Sequence, residues 1–210
     1  MFVVIDESFN LQDKTKPRFI SINGFTVLNI KSLTKKWKNY RLPFTKKGRR
    51  IHATDSAFVG LRDKTLQIIA RPDITLITAF QVIQEITLDD KKGYFKKGKL
   101  NFEKVYFGLL TALLSKLEIQ EYRAVKIILD SRKYKSGIIG KKAFQQAILS
   151  FLNEHYPKVA VAFKMQSSTS DISLELADFI SNLFYRAYIS KNDAFFEDLK
   201  FKIIQIKNPL

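Results

Sequence analysis

Residues 2–6 read Phe2-Val3-Val4-Ile5-Asp6, and residues 125–130 read Val125-Lys126-Ile127-Ile128-Leu129-Asp130. Each is a short, almost continuous apolar run that stops at a carboxylate. Runs of this kind mark strands buried on both faces, as in a sheet covered by helices on either side. If the two strands are parallel neighbours, both aspartates emerge at the same C-terminal sheet edge, roughly 5 Å apart. A single Asp after a strand commonly begins a turn. Two at matched positions pose a different problem, because carboxylates that close repel unless a proton or a cation lies between them.

Working outward, Phe19 to Val27 and Ile74 to Ile83 read as further strands, and Val159, Val161, Phe163 and Met165 alternate as another. Helical spacing joins Tyr106, Leu109, Leu110, Leu113, Leu114 and Leu117, and again Phe144, Ile148, Phe151 and Leu152. A helix is expected from about Ser56 to Ala70, ended by Arg71-Pro72, and a last one from about Ser173 to Ile189, with a shorter tail of helix and strand beyond. Phe2 to Ile5 is expected to stop at Asp6-Glu7-Ser8, and Asp89 to Lys99, charged and with two glycines, to form a loop. Two strands, a helical excursion, a third strand and then alternating helices and strands predict an α/β fold. The order fits a ribonuclease-H-like plan: a mixed five-stranded sheet with helices on both faces, in a single domain over 1–210. A mostly helical, basic insertion at about 29–72 separates strands 2 and 3. A doubly wound plan is the alternative.

The chain has 210 residues, 46% of them hydrophobic, with 18 Phe and 8 Tyr, enough to bury a core. With no Cys it has no disulfide, thiolate metal site or Cys nucleophile. No run approaches the roughly 18–20 apolar residues that span a bilayer, and no basic region precedes the first apolar run. A soluble cytoplasmic protein without a membrane partner is expected. Thirty-six Lys and Arg against 20 Asp and Glu leave a net charge of +16, which favours polyanionic partners through counterion release. Nine of the basic residues lie between Lys31 and Arg50, with no acid among them. Trp37, Tyr40 and Phe44 interleave with them, a mixture suited to phosphates and bases. Lys35, Lys36, Lys38, Lys46, Lys47, Arg49 and Arg50 are the candidate contacts to DNA or RNA.

A third acidic cluster lies late in the chain. Asp171, Glu175 and Asp178 fall within about 60° of one another on a helix. Asp171 suits an N-cap, but Asp178 sits about two turns in, beside bulky apolar residues. Asp6, Asp130 and Asp178 are therefore the candidate metal ligands. An all-oxygen set suits a hard cation, Mg²⁺ or Mn²⁺, and metal-bridged carboxylates on a basic protein suit phosphodiester chemistry. Asp6 is expected to bridge, with Asp130 and Asp178 flanking and Glu7, Glu175 and Glu103 auxiliary. His52, beside Arg49, Arg50 and Asp55, is the candidate for proton transfer or phosphate contact, while His155 reads as a helix-end residue. Gly137-Ile138-Ile139-Gly140-Lys141-Lys142 has the wrong spacing for a P-loop, and there is no Gly-x-Ser-x-Gly elbow.

Val4-Ile5-Asp6-Glu7-Ser8 at the start, Asp130-Ser131-Arg132 in the middle and Leu174-Glu175-Leu176-Ala177-Asp178-Phe179-Ile180 near the end resemble a bacterial family. It is the one known only as domain-of-unknown-function family 3800. Ile51-His52-Ala53 is similar to that family's short Glu-His or Glu-Lys segment. The chain departs from the pattern at Phe9, usually Gly; at Ile51, usually Glu; and at Glu175, usually Gln. The resemblance implies a ribonuclease-H-like fold with its acids placed as in nucleases and transposases, and it carries no settled activity. The expected function is a divalent-metal-dependent nuclease. The alternative is a non-catalytic nucleic-acid-binding or adaptor protein on the same fold.

Overall fold

The computed structural model describes residues 1–12, 15–45, 49–86, 93–131, 141–167, 170–190, 196 and 201–210. Its elements are β1 (Phe2–Asn10), β2 (Phe19–Val27), α1 (Ile30–Arg41), α2 (Ser56–Val59), α3 (Arg62–Ile69), β3 (Ile74–Val82), β4 (Phe95–Lys96), β5 (Lys99–Leu100), α4 (Phe102–Lys116), β6 (Ala124–Asp130), α5 (Lys141–His155), β7 (Ala160–Gln166), α6 (Ser173–Ser190) and β8 (Ile203–Lys207). The main sheet has the order β7-β6-β1-β2-β3-β8. β2 is antiparallel to both of its neighbours, whereas β1, β6 and β7 pair in parallel, as do β3 and β8. An antiparallel strand at the centre rules out the doubly wound alternative.

The sheet has six strands, not the expected five. The tail strand β8 docks in parallel beside β3, where Ile203 to Lys207 pair with Leu76 to Phe80. The unmet edge hydrogen bonds of β3 make it a natural template for such an addition. β1 does not stop at Asp6-Glu7-Ser8 but pairs with β2 as far as Asn10. Phe9 is extended strand opposite Ile20, so no tight turn follows Ser8. The expected helix from Ser56 to Ala70 is two helices, α2 and α3, because α2 is closed at Gly60. A Cβ on Gly60 would stand 2.5 Å from the Phe44 ring, which would have to move aside. Residues 95–100, expected as loop, form the β4–β5 hairpin. Lys97 and Gly98 at its tip have φ of 51° and 71°, the left-handed pair that matches strand twist in a two-residue turn.

The sheet separates two cores. On one face α4 and α5 pack on Val3, Ile5, Ile22, Ile77, Ile127 and Leu129. On the other, α1, α3 and α6 pack on Val4, Phe25, Leu76 and Ile128. Alternation along each strand then assigns the acids: Asp6 follows Val4 and Asp130 follows Ile128, so both face α6. β1 and β6 pair Phe2 with Lys126 and Ile5 with Leu129, and the next step of that register puts Asp6 beside Asp130. Lys46, Lys47 and Arg132 lie outside the described residues. No helix among the described residues is long and apolar enough to cross a membrane.

Beside the acids β1 and β2 are in unusually close contact. A Cβ on Gly24 would stand 1.9 Å from the Val4 carbonyl oxygen, and backbone cannot yield as a flexible side chain does. Gly24→Ala is expected to cost about 3 kcal/mol or more, measured by chemical denaturation; a loss under about 0.5 kcal/mol would contradict this packing.

Candidate active site

α6 lies across β1 and β2 and carries the third acid. Its apolar residues Leu174, Leu176, Ala177, Phe179, Ile180 and Phe184 are buried, each large one contributing about 1.5–3 kcal/mol. That burial holds Asp178 over the edge where Asp6 and Asp130 emerge. Asp6 is 8% exposed. Its carboxyl is pushed well above the usual aspartate range, first by burial and then by the charges of Glu7, Asp178 and Asp130, with a backbone hydrogen bond from Glu7 opposing. The three aspartates therefore act on one another electrostatically.

Arg50 meets part of this repulsion. Its Nη2 lies 3.6 Å from Asp130 Oδ2 and 3.6 Å from Asp178 Oδ2. Asp178 Oδ2 also accepts the Ala53 N–H at 3.1 Å and lies 3.5 Å from His52 Nδ1. His52 is half exposed, and the Asp55 carboxylate holds its backbone N–H at 2.9 Å. The segment 50–53, on the insertion, is thus laid directly on the acids.

The other expected auxiliaries are placed elsewhere. Glu7 turns to the opposite face of the sheet, where its carboxylate accepts from the Tyr106 hydroxyl at 3.4 Å. Glu103, on α4, also lies on that side. Glu175 is buried in a structural clamp instead of joining Asp6: it accepts from Trp37 Nε1 at 2.8 Å, pairs with Arg41 Nη2 at 3.1 Å and accepts from the Ile51 N–H at 3.3 Å. Burial raises its pKa, and the Trp37 bond, Arg41, the Ile51 N–H and Arg50 oppose the rise. Asp171 takes the expected capping role, accepting from the backbone and hydroxyl of Ser173 at 3.0 and 2.6 Å. His155 contacts the Phe151 carbonyl in the last turn of α5.

The basic run divides by helical phase. Lys38, with Arg49 and Arg50, borders a cavity beside the acids, whereas Lys35 is exposed away from it and Lys36 lies over the Tyr40 ring. Sequence reasoning missed a polar network next to Asp6. Asn23, paired with Asp6 across the strands, donates to Ser8, Ser21 and Ser181 and accepts from Thr78, which also contacts the Tyr188 hydroxyl. Its signal was available: Ser21 and Asn23 are polar at alternate positions of an otherwise apolar strand.

The donor chemistry, oxygen atoms on mutually repelling carboxylates, fits a hard divalent cation. As the side chains stand, no group of three or more His, Asp or Glu among the described residues is gathered closely enough to hold a metal. Arg50 provides the positive charge on Asp130 and Asp178 instead.

No protein-family model matches the chain, and no curated protein matches it. Among solved structures it is similar to the RNase HII in the PCNA:RNase HII complex from Archaeoglobus fulgidus, with 12% identity and a TM-score of 0.52, over 93% of this chain and 78% of that one. The fold is ribonuclease-H-like. At that identity the likeness concerns the fold alone.

Two measurements check this site. Glu175→Ala, which strands Arg41 and Trp37, is expected to cost about 3–5 kcal/mol in denaturation experiments, with Glu175→Gln milder. Asp6 concerns pH. Its folded pKa exceeds its unfolded one, so its contribution is fully present below the unfolded value and is lost as pH rises through the folded value. Metal-free protein should therefore lose Tm from about pH 4 upward more steeply than Asp6→Asn does. At neutral pH the variant should melt higher than the parent chain.

Proposed function

We propose that this chain is a divalent-metal-dependent nuclease and a member of domain-of-unknown-function family 3800. The observation that carries the reading is the convergence of Asp6, Asp130 and Asp178 on one face of a ribonuclease-H-like sheet, where burial and neighbouring charge raise the pKa of Asp6. Such a site gains most from a ligand that neutralises several carboxylates at once. The excess of Lys and Arg, +16 in net charge, supports a polyanionic substrate.

In this reading Asp6, Asp130 and Asp178 hold Mg²⁺ or Mn²⁺. The bound metal would supply activation of water and stabilisation of the leaving oxygen in phosphodiester hydrolysis. The chain's own residues do the rest. Asp6 must lose its proton for the metal to bind, so metal affinity rises with pH. Arg50 must release Asp130 and Asp178, and its guanidinium then becomes available to a substrate phosphate. His52, whose Nδ1 faces Asp178, has Nε2 left to take or give a proton at the reacting oxygen. Asn23 and its hydroxyl partners keep the floor beside Asp6 rigid and fully hydrogen-bonded.

One observation favours the second reading, a nucleic-acid-binding adaptor without catalysis: Arg50 already neutralises two of the acids. Incubation with single-stranded, double-stranded and hybrid substrates, in Mg²⁺ or Mn²⁺ against chelator, separates the two. Cleavage that requires metal and falls by at least about a thousandfold in Asp6→Asn, with binding retained, is the expected result. Binding without cleavage under every condition would replace the nuclease with the adaptor.

A further inference from the structure

The cavity beside the acids has a volume of about 400 Å³ and opens between α1, α6 and the beginnings of β1 and β6. Five cationic residues line it: Lys38, Arg41, Arg49, Arg50 and Lys126, against two carboxylates, Asp171 and Glu175. Both carboxylates already have partners, Glu175 in the Trp37–Arg41 clamp and Asp171 in the Ser173 cap. Five cations against two carboxylates leave the cavity an excess of positive charge, gathered from three separate parts of the chain: α1, the segment 49–50 and β6. Two of the lining arginines carry an unpaired donor: Arg41 Nε and Arg50 Nε are buried without a hydrogen-bond partner among the described residues. Buried guanidinium N–H groups without acceptors are costly; both Nε atoms are closed off from the cavity as the side chains stand, and a turn of either guanidinium toward a bound anion would satisfy them.

We propose that this cavity is a phosphate subsite that holds a backbone phosphate of the nucleic-acid strand next to the one at the acids. The assignment rests on the nuclease or nucleic-acid-binding reading for the identity of the ligand, but its chemistry stands on the cavity alone. Arg50 belongs to both places, lining the cavity and touching Asp130 and Asp178. Ile128, on the cavity wall, is two strand residues from Asp130, about 7 Å along β6, comparable with the separation of neighbouring phosphates in a single strand. A phosphate seated here would position the next one over Asp6 and draw Arg50 toward itself.

The test uses the full chain in chelator, where no cleavage intervenes. Lys38→Gln/Lys126→Gln is compared with Lys35→Gln/Lys36→Gln, an equal charge change outside the cavity. Binding of inorganic phosphate is followed by calorimetry, and binding of a labelled single-stranded oligonucleotide by anisotropy across a salt series. The expected result is loss of phosphate binding in the cavity variant only. Its oligonucleotide affinity should fall on the order of tenfold and its salt slope should become shallower by about 1. Equal losses in the two variants, or phosphate binding unchanged in the cavity variant, would overturn the subsite. Phosphate binding lost with oligonucleotide affinity intact would overturn the strand assignment in favour of free phosphate. If the double variant does not fold, the exposed Arg49→Gln takes its place. A protein that shows the cavity effect but never cleaves removes the nuclease reading and keeps the subsite, and cleavage with no cavity effect does the reverse.

Discussion

Like-charge repulsion at one sheet edge is the constraint around which this molecule is arranged. The parallel register of β1 and β6 places Asp6 beside Asp130, and α6 brings Asp178 to the same face. Burial denies Asp6 the solvent that would screen it. A fold that aimed only at stability would not gather three carboxylates here, and conflicts between local chemistry and stability are where function is usually found. The chain meets the conflict in two ways, by raising the pKa of Asp6 and by laying the Arg50 guanidinium on the other two acids.

Arg50 reaches the acids because the insertion between β2 and β3 is fastened down, with Ile51, Phe58 and Leu61 buried in the core and Glu175 as its polar anchor. One buried carboxylate joins α6 to Trp37 and Arg41 of α1 and to the backbone at Ile51. The segment that follows Ile51 then delivers His52 and Ala53 to Asp178. A buried ion pair is a weak source of net stability, since desolvation offsets most of its Coulomb energy. Its value here is registry: it fixes where a basic insertion sits relative to an acidic sheet edge. The same clamp shapes the cavity, whose walls are α1, α6 and the segment at 49–50.

The central strands were readable because a strand buried on both faces must be apolar at nearly every position, and their order was enough to name the ribonuclease-H-like plan. Their ends were less readable. β1 runs on to Asn10 because β2 continues beside it, a pairing that local composition does not record, and β8 joins the sheet for the same reason, through the open edge of β3. Among the site residues, the emergence of Asp6 and Asp130 at one sheet edge was legible from two apolar strands that both end in Asp, and so was the capping role of Asp171. Glu7 turns away from the other acids because adjacent strand residues face opposite ways, so its closeness to Asp6 in sequence puts it on the other side of the sheet.

Glu175 and Asp178 show where a sequence stops being informative. They share a helix face, but three residues of rise, about 4.5 Å, put one under α1 and the other over the sheet edge. From sequence alone follow the two acid-ended strands, the helix that carries a third acid and the excess of basic residues, all of which are written in local pattern and composition. Only the tertiary structure decided which carboxylate is a clamp and which meets the others, which of the cations enter the cavity, and that Arg50 lies on the acids. Those choices depend on contacts such as Trp37 with Glu175, 138 residues apart, and on the packing of whole helices that sets them, which no local periodicity encodes.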